Sequence, residues 1–136
     1  MRKNKKYYLS MGLVALYLLM IIFLCSCADL VVKNIHSAPL TTQTRIIKVT
    51  VKNRGLKAAP ASTTSVVKAA NPDAQYTQIA TFPTPPLKRG EEKELKLIRD
   101  PKKCIHLKVC ADINDDVNES LIGEVNNCTM KSIGCQ

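Results

Sequence analysis

Tryptophan is absent from this 136-residue chain, and phenylalanine (2), histidine (2) and glycine (5) are scarce. Beyond residue 27 the aromatics are Tyr76 and Phe82 alone, which leaves no stacking platform for sugars or single-stranded nucleic acid and no tryptophan-centred antibody-type core. There is no Gly-x-Ser-x-Gly, no His-Glu-x-x-His and no phosphate loop, and His36 and His106 stand without a nucleophile or ligand spacing. The sequence thus offers no catalytic constellation and calls for no cofactor; the chain reads as a non-enzyme. Acidic residues are few, 11 against 20 basic ones, for a net charge of +9. Arg2, Lys3, Lys5 and Lys6 precede residue 27 and every acidic residue follows it, so the charge from Cys27 onward is +5. That surplus is dispersed, with clusters only at Lys88-Arg89 and Lys102-Lys103. It describes a solvated surface rather than a nucleic-acid stripe, compatible with a weak attraction to anionic lipid or envelope polymers.

What the chain does have is one long apolar run. After the basic residues 1–6, residues 7–24 are nearly all apolar, the composition of an export signal. The run ends in Leu24-Cys25-Ser26-Cys27, which resembles the lipobox of bacterial lipoproteins: an aliphatic residue at −3, a small residue at −1, then the cysteine that is acylated. Cys27 fits that cysteine, whereas Cys25, preceded by bulky Leu24, fits poorly. The resemblance implies a signal peptide over residues 1–26 and a mature domain over 27–136, anchored to a membrane by lipid on Cys27. Read without cleavage, the same 18 residues sit at the lower limit of a membrane-spanning helix whose positive flank stays cytoplasmic. On either reading the remainder faces away from the cytoplasm, in the cell envelope.

With Cys25 lost to the signal and Cys27 lipidated, Cys104, Cys110, Cys128 and Cys135 remain. Four cysteines in a small exported domain read as two disulfides, and they lack the Cys-x-x-Cys spacing of a zinc or redox site. In an antiparallel pair the position numbers of opposed residues have a constant sum. Cys110 with Cys128 and Cys104 with Cys135 agree on that sum to within one residue, which a bulge near Ser132-Ile133-Gly134 would absorb. The other two pairings stay open from sequence alone.

The chain beyond the signal reads as short strands. Residues 30–35 are rich in β-branched side chains, and residues 45–52 alternate, with Ile47, Val49 and Val51 on one face and Lys48, Thr50 and Lys52 on the other. Asn53-Arg54-Gly55 reads as a turn tolerant of left-handed backbone. Strands are expected over 62–68, 76–82, 93–98, 104–112 and 127–133, with Ile105, Leu107, Val109 and Ala111 inward in the sixth. Pro83-Thr84-Pro85-Pro86 reads as an extended connection outside any ladder, because proline donates no hydrogen bond. No helix of useful length is suggested. About seven short strands punctuated by turns predict an all-β sandwich of immunoglobulin type.

Several segments together resemble the CARDB domain, the cell-adhesion-related domain found in bacteria. They are Ala28-Asp29-Leu30-Val31-Val32, Ile47-Lys48-Val49-Thr50-Val51-Lys52-Asn53-Arg54-Gly55, Leu87-Lys88-Arg89-Gly90-Glu91, and Val109-Cys110-Ala111-Asp112 through Val117-Asn118-Glu119 to Glu124-Val125-Asn126-Asn127. The resemblance implies an immunoglobulin-like, seven-stranded Greek-key sandwich used as an extracellular binding or spacer module. This chain departs from the pattern in its single copy, lipid anchor, four cysteines and Pro-rich centre. Asp112, Asn114 and Asp116 place oxygen ligands at alternate positions and invite a calcium reading, but Val117 and Gly123 stand where an EF-hand loop needs glycine and glutamate. The main expectation is therefore a binding or adhesion module that meets a protein partner through an exposed sheet edge or the loop from Asp112 to Asn127. A structural subunit of an envelope membrane complex and a calcium-stabilised domain are the alternatives.

Overall fold

The computed structural model describes Val14 and residues 27–101, 103–119, 123 and 126–135, with backbone alone for 97–101. The proposed signal, residues 1–26, lies outside the described residues except for Val14. Seven strands follow among those described: β1 (Leu30–Pro39), β2 (Thr44–Asn53), β3 (Ser62–Ala69), β4 (Thr77–Thr84), β5 (Glu92–Pro101), β6 (Ile105–Cys110) and β7 (Cys128–Ile133).

Period-two alternation decides which face of each strand is covered. In β2, Arg45, Ile47, Val49, Val51 and Asn53 are buried and the residues between them are partly exposed. In β6, Ile105, Leu107 and Val109 are buried in the same way. β1 needs a correction to its phase: Leu30 and Val32 point inward, yet so does Ile35. A register shift against β2 between Val32 and Asn34 makes the change, inserting Lys33 as an extra residue so that Ile35 opposes Val49. Without that bulge Ile35 would face water.

The strands form two antiparallel sheets, β1-β2-β5 and β4-β3-β6-β7. Their non-sequential neighbours, β2 with β5 and β3 with β6, make this an immunoglobulin-like Greek-key sandwich. The core lies between the sheets, with Ile47, Val49 and Val51 on one side and Val66, Leu107 and Val109 on the other. Ala28, Ala59, Leu87, Ala111 and Val117 extend it toward one end.

Three local expectations are overturned. Pro83 and Thr84 belong to the β4 ladder, opposite Thr63 and Ser62; β4 is an edge strand, where a missing donor faces no partner strand. Asn53 is inside β2 rather than in a left-handed turn, and positive φ falls instead at Gly90, Asp112, Asp115 and Gly134. The β6–β7 ladder runs without a bulge from Cys110 opposite Cys128 to Ile133 opposite Ile105. Gly134, at φ 70°, supplies beyond the strand end the one-residue offset that Cys135 needs.

Candidate functional site

One end of the sandwich collects residue 27, the β2–β3, β4–β5 and β6–β7 connections, and most of the buried polar side chains that those connections need. Cys27 is half-buried and is the free cysteine among the described residues. Its carbonyl accepts hydrogen bonds from Leu56 N at 2.9 Å and Lys57 N at 3.4 Å, so the residue is tied to the β2–β3 connection through its backbone. Gly55 permits this approach: a Cβ there would stand 2.4 Å from the Cys27 carbonyl oxygen and 2.5 Å from Asp29 N. The turn signal read at Gly55 is thus a requirement for space.

Asn53, fully buried, is the hub. Its Oδ1 accepts from Asp29 N (3.2 Å) and Gly55 N (3.0 Å), and its Nδ2 donates to Lys57 O (2.7 Å) and Leu87 O (3.0 Å). One amide therefore joins the segment after Cys27 to two connections, with both donors and both acceptor positions in use. Arg54 N donates to Asp29 O at 2.8 Å, and the Arg54 guanidinium pairs with the Asp29 carboxylate at 3.1 Å. On the far side, Glu119 is buried and its Oε1 accepts from Leu30 N at 2.5 Å, while a parallel bridge pairs Ala28 with Glu119.

Asp112, buried and at φ 52°, accepts from Asp116 N (2.9 Å) and Val117 N (2.8 Å) on its two carboxylate oxygens. Asn114 donates to Thr63 Oγ1 at 3.3 Å. The three calcium candidates therefore have separate tasks: Asp112 shapes its own loop, Asn114 reaches to β3, and Asp116 takes part through its backbone. The loop beginning at Asp112, one of the two surfaces expected to meet a partner, lies at the Cys27 end and is pinned there at Asp112, Val117 and Glu119.

Disulfides join Cys110 to Cys128 and Cys104 to Cys135. These are the two pairs favoured by position sums. They clamp β6 to β7 at both ends, Cys110–Cys128 near the Cys27 pole and Cys104–Cys135 at the opposite pole. His106 is not isolated as its sequence position suggested. Its Nε2 lies 3.8 Å from Cys104 Sγ and 3.9 Å from Cys135 Sγ, and its Nδ1 is 2.7 Å from Ser132 Oγ. The three potential ligand atoms lie within 4.8 Å of one another, but the sulfurs are bonded to each other.

Residues 27–131 match the CARDB family. The chain belongs to the CARDB family. The match begins at Cys27, and the family-like residues Asn53, Asp112 and Glu119 prove to be the fasteners of the Cys27 pole. By sequence alone Asn53 belongs to a turn and Glu119 is only part of the family-like Val-x-Glu; burial, which changes what a polar side chain must do, is the information the sequence lacks. No curated protein matches the chain. Among solved structures, the CARDB domain of the PF1109 protein from Pyrococcus furiosus, itself in complex with di-metal ions, is similar at TM-score 0.62 and 20% identity, covering 79% of this chain and 87% of that one. β-Glucosidase 3B from Thermotoga neapolitana, in complex with α-D-glucose, is similar at TM-score 0.50 and 14% identity over 79% of this chain but only 16% of that one. Both likenesses concern the fold.

Proposed function

We propose that this CARDB domain is a non-catalytic envelope lipoprotein module, anchored through lipid on Cys27 and offering its sandwich to a protein partner. The observation that carries the reading is a coincidence of position. The cysteine that fits the lipobox is also the first residue of the family match and the residue whose carbonyl enters the fold. A chain processed at that residue would begin where the domain begins. The two disulfides support an oxidising compartment. With the loop from Asp112 engaged at the anchor pole, the β4 edge, whose residues from Thr77 to Pro83 are exposed or half-exposed, is the better surface for a partner.

Peptide and intact mass spectrometry of the membrane-extracted protein tests the anchor. A diacylated or triacylated Cys27 with no free thiol elsewhere is expected; an uncleaved chain from Met1 with reduced cysteines overturns the reading. A second role, as a structural subunit of an envelope complex, draws support from the direct tie between Cys27 and the fold, which leaves no spacer to carry the domain away from the bilayer. Protease shaving of intact cells separates the two: a displayed module is cut, and a periplasm-facing subunit is protected.

A further inference from the structure

We infer that one corner of the Cys27 pole, formed by Leu56, Lys57, Lys88 and Arg89, is the seat of the domain on an anionic lipid surface, so that the sandwich stands on the membrane in a defined orientation. The inference rests on the anchored reading and adds to it which face meets the bilayer.

The corner is fixed by bonds already described. Cys27 O receives the amides of Leu56 and Lys57, which puts both residues beside the proposed acylation point. Asn53 Nδ2 bonds Lys57 O and Leu87 O together, and Gly90 N donates to Asn53 O at 2.8 Å, so the Lys88-Arg89 turn is held against the Lys57 loop. Lys57, Lys88 and Arg89 are exposed, and their side-chain cations take part in none of the described ion pairs; the one carboxylate in the turn, Glu91, accepts from the Lys88 backbone amide at 2.8 Å and leaves the corner net cationic. Leu56, 46% exposed, is an apolar side chain set among cations beside an acylation point. That combination suits the headgroup boundary of a bilayer, where an apolar group enters and lysine and arginine meet phosphates. The other side of Cys27 has the opposite character: Asp115 and Asp116 are exposed on the β6–β7 connection, across a cleft of about 300 Å³ lined by Cys27, Lys57, Pro60, Asp116 and Asn118. An anionic surface would repel that side, so the domain leans onto the cationic corner. The pole carrying Leu40 and the Cys104–Cys135 disulfide then points away from the membrane.

The chain contains no tryptophan, so single tryptophan substitutions report unambiguously. Leu56→Trp and Leu40→Trp are matched in exposure, 46% and 45%, at opposite poles. Each full-length, membrane-extracted variant is reconstituted into phosphatidylcholine–phosphatidylglycerol vesicles containing phosphatidylcholine with a headgroup nitroxide, and flotation is measured alongside fluorescence. The expected result is flotation of both, with quenching of the Leu56→Trp reporter several-fold stronger than that of the Leu40→Trp reporter. The difference should shrink in high salt, in vesicles of phosphatidylcholine alone, and when Lys57→Gln, Lys88→Gln and Arg89→Gln are combined. Flotation with equal quenching at both positions, or with none at Leu56→Trp, overturns the seat and leaves the anchor standing. Loss of flotation overturns the anchor and the seat together.

Discussion

Asn53 satisfies two backbone amides and two backbone carbonyls from a site with no exposure to solvent. Removing its side chain strands those groups, and each buried unsatisfied group costs about 1–3 kcal/mol. Asn53→Ala should therefore lower stability by about 3 kcal/mol or more, seen as a drop in the urea midpoint with little change in slope. A shift no larger than that of an ordinary surface substitution would disprove the hub role. Gly55→Ala tests the approach of Cys27. The added methyl would collide with the backbone of residues 27–29, so hydrogen exchange at the Leu56 amide should accelerate more than exchange in the β6–β7 ladder. Neither role could be read from an Asn-Arg-Gly triplet, which is as good a turn as it is a buried fastener until the chain before it is folded back.

Across the strands, Glu92 gathers Lys33 from the β1 bulge and Lys52 from β2 at 2.6 and 3.0 Å, linking all three strands of one sheet. Hydrogen bonds from Lys33 first and Lys52 second hold its carboxyl below the ordinary 4.5. A carboxyl with a lowered folded pKa contributes stability above its unfolded value and loses it as pH falls through the folded one. Acidification below about pH 4.5 should therefore erode the sheet's stability more in the native protein than in Glu92→Gln. The difference should be small and fade with salt, because the group is exposed; melting curves at low and high salt decide it. The disulfides act on β6 and β7. With sequence separations of 18 and 31, each should contribute about 3 kcal/mol in the chain-entropy model. Replacing either pair by alanines should lower the denaturation midpoint, and replacing both should approach the whole stability margin of a small domain.

For the molecule as a whole, Cys27 contributes a backbone carbonyl to the fold, so the thiol is available for lipid at little structural cost. On the proposed anchored reading, Cys27→Ser should shift the protein from the membrane fraction to the soluble fraction, or leave it unprocessed at residue 1, while melting at an unchanged temperature. A large fall in melting temperature would show that the thiol itself supports the domain.

Strands and core faces were readable from the chain alone because β-branched alternation at Ile47, Val49, Val51, Leu107 and Val109 is a local signal: one buried face imposes period two on the residues that form it. The disulfide pairs were readable for a related reason, since antiparallel register is arithmetic in position numbers. What tertiary structure decided was everything that depends on residues far apart in sequence meeting. The Lys33 bulge moves Ile35 inward, edge position admits Pro83 to a ladder, and burial turns Asn53, Asp112 and Glu119 from turn and loop residues into fasteners. The same closure gathers Cys27, the cationic corner and the loop from Asp112 at one pole. Polar side chains carry no local mark of burial; only the packing that removes them from water determines which hydrogen bonds they must make.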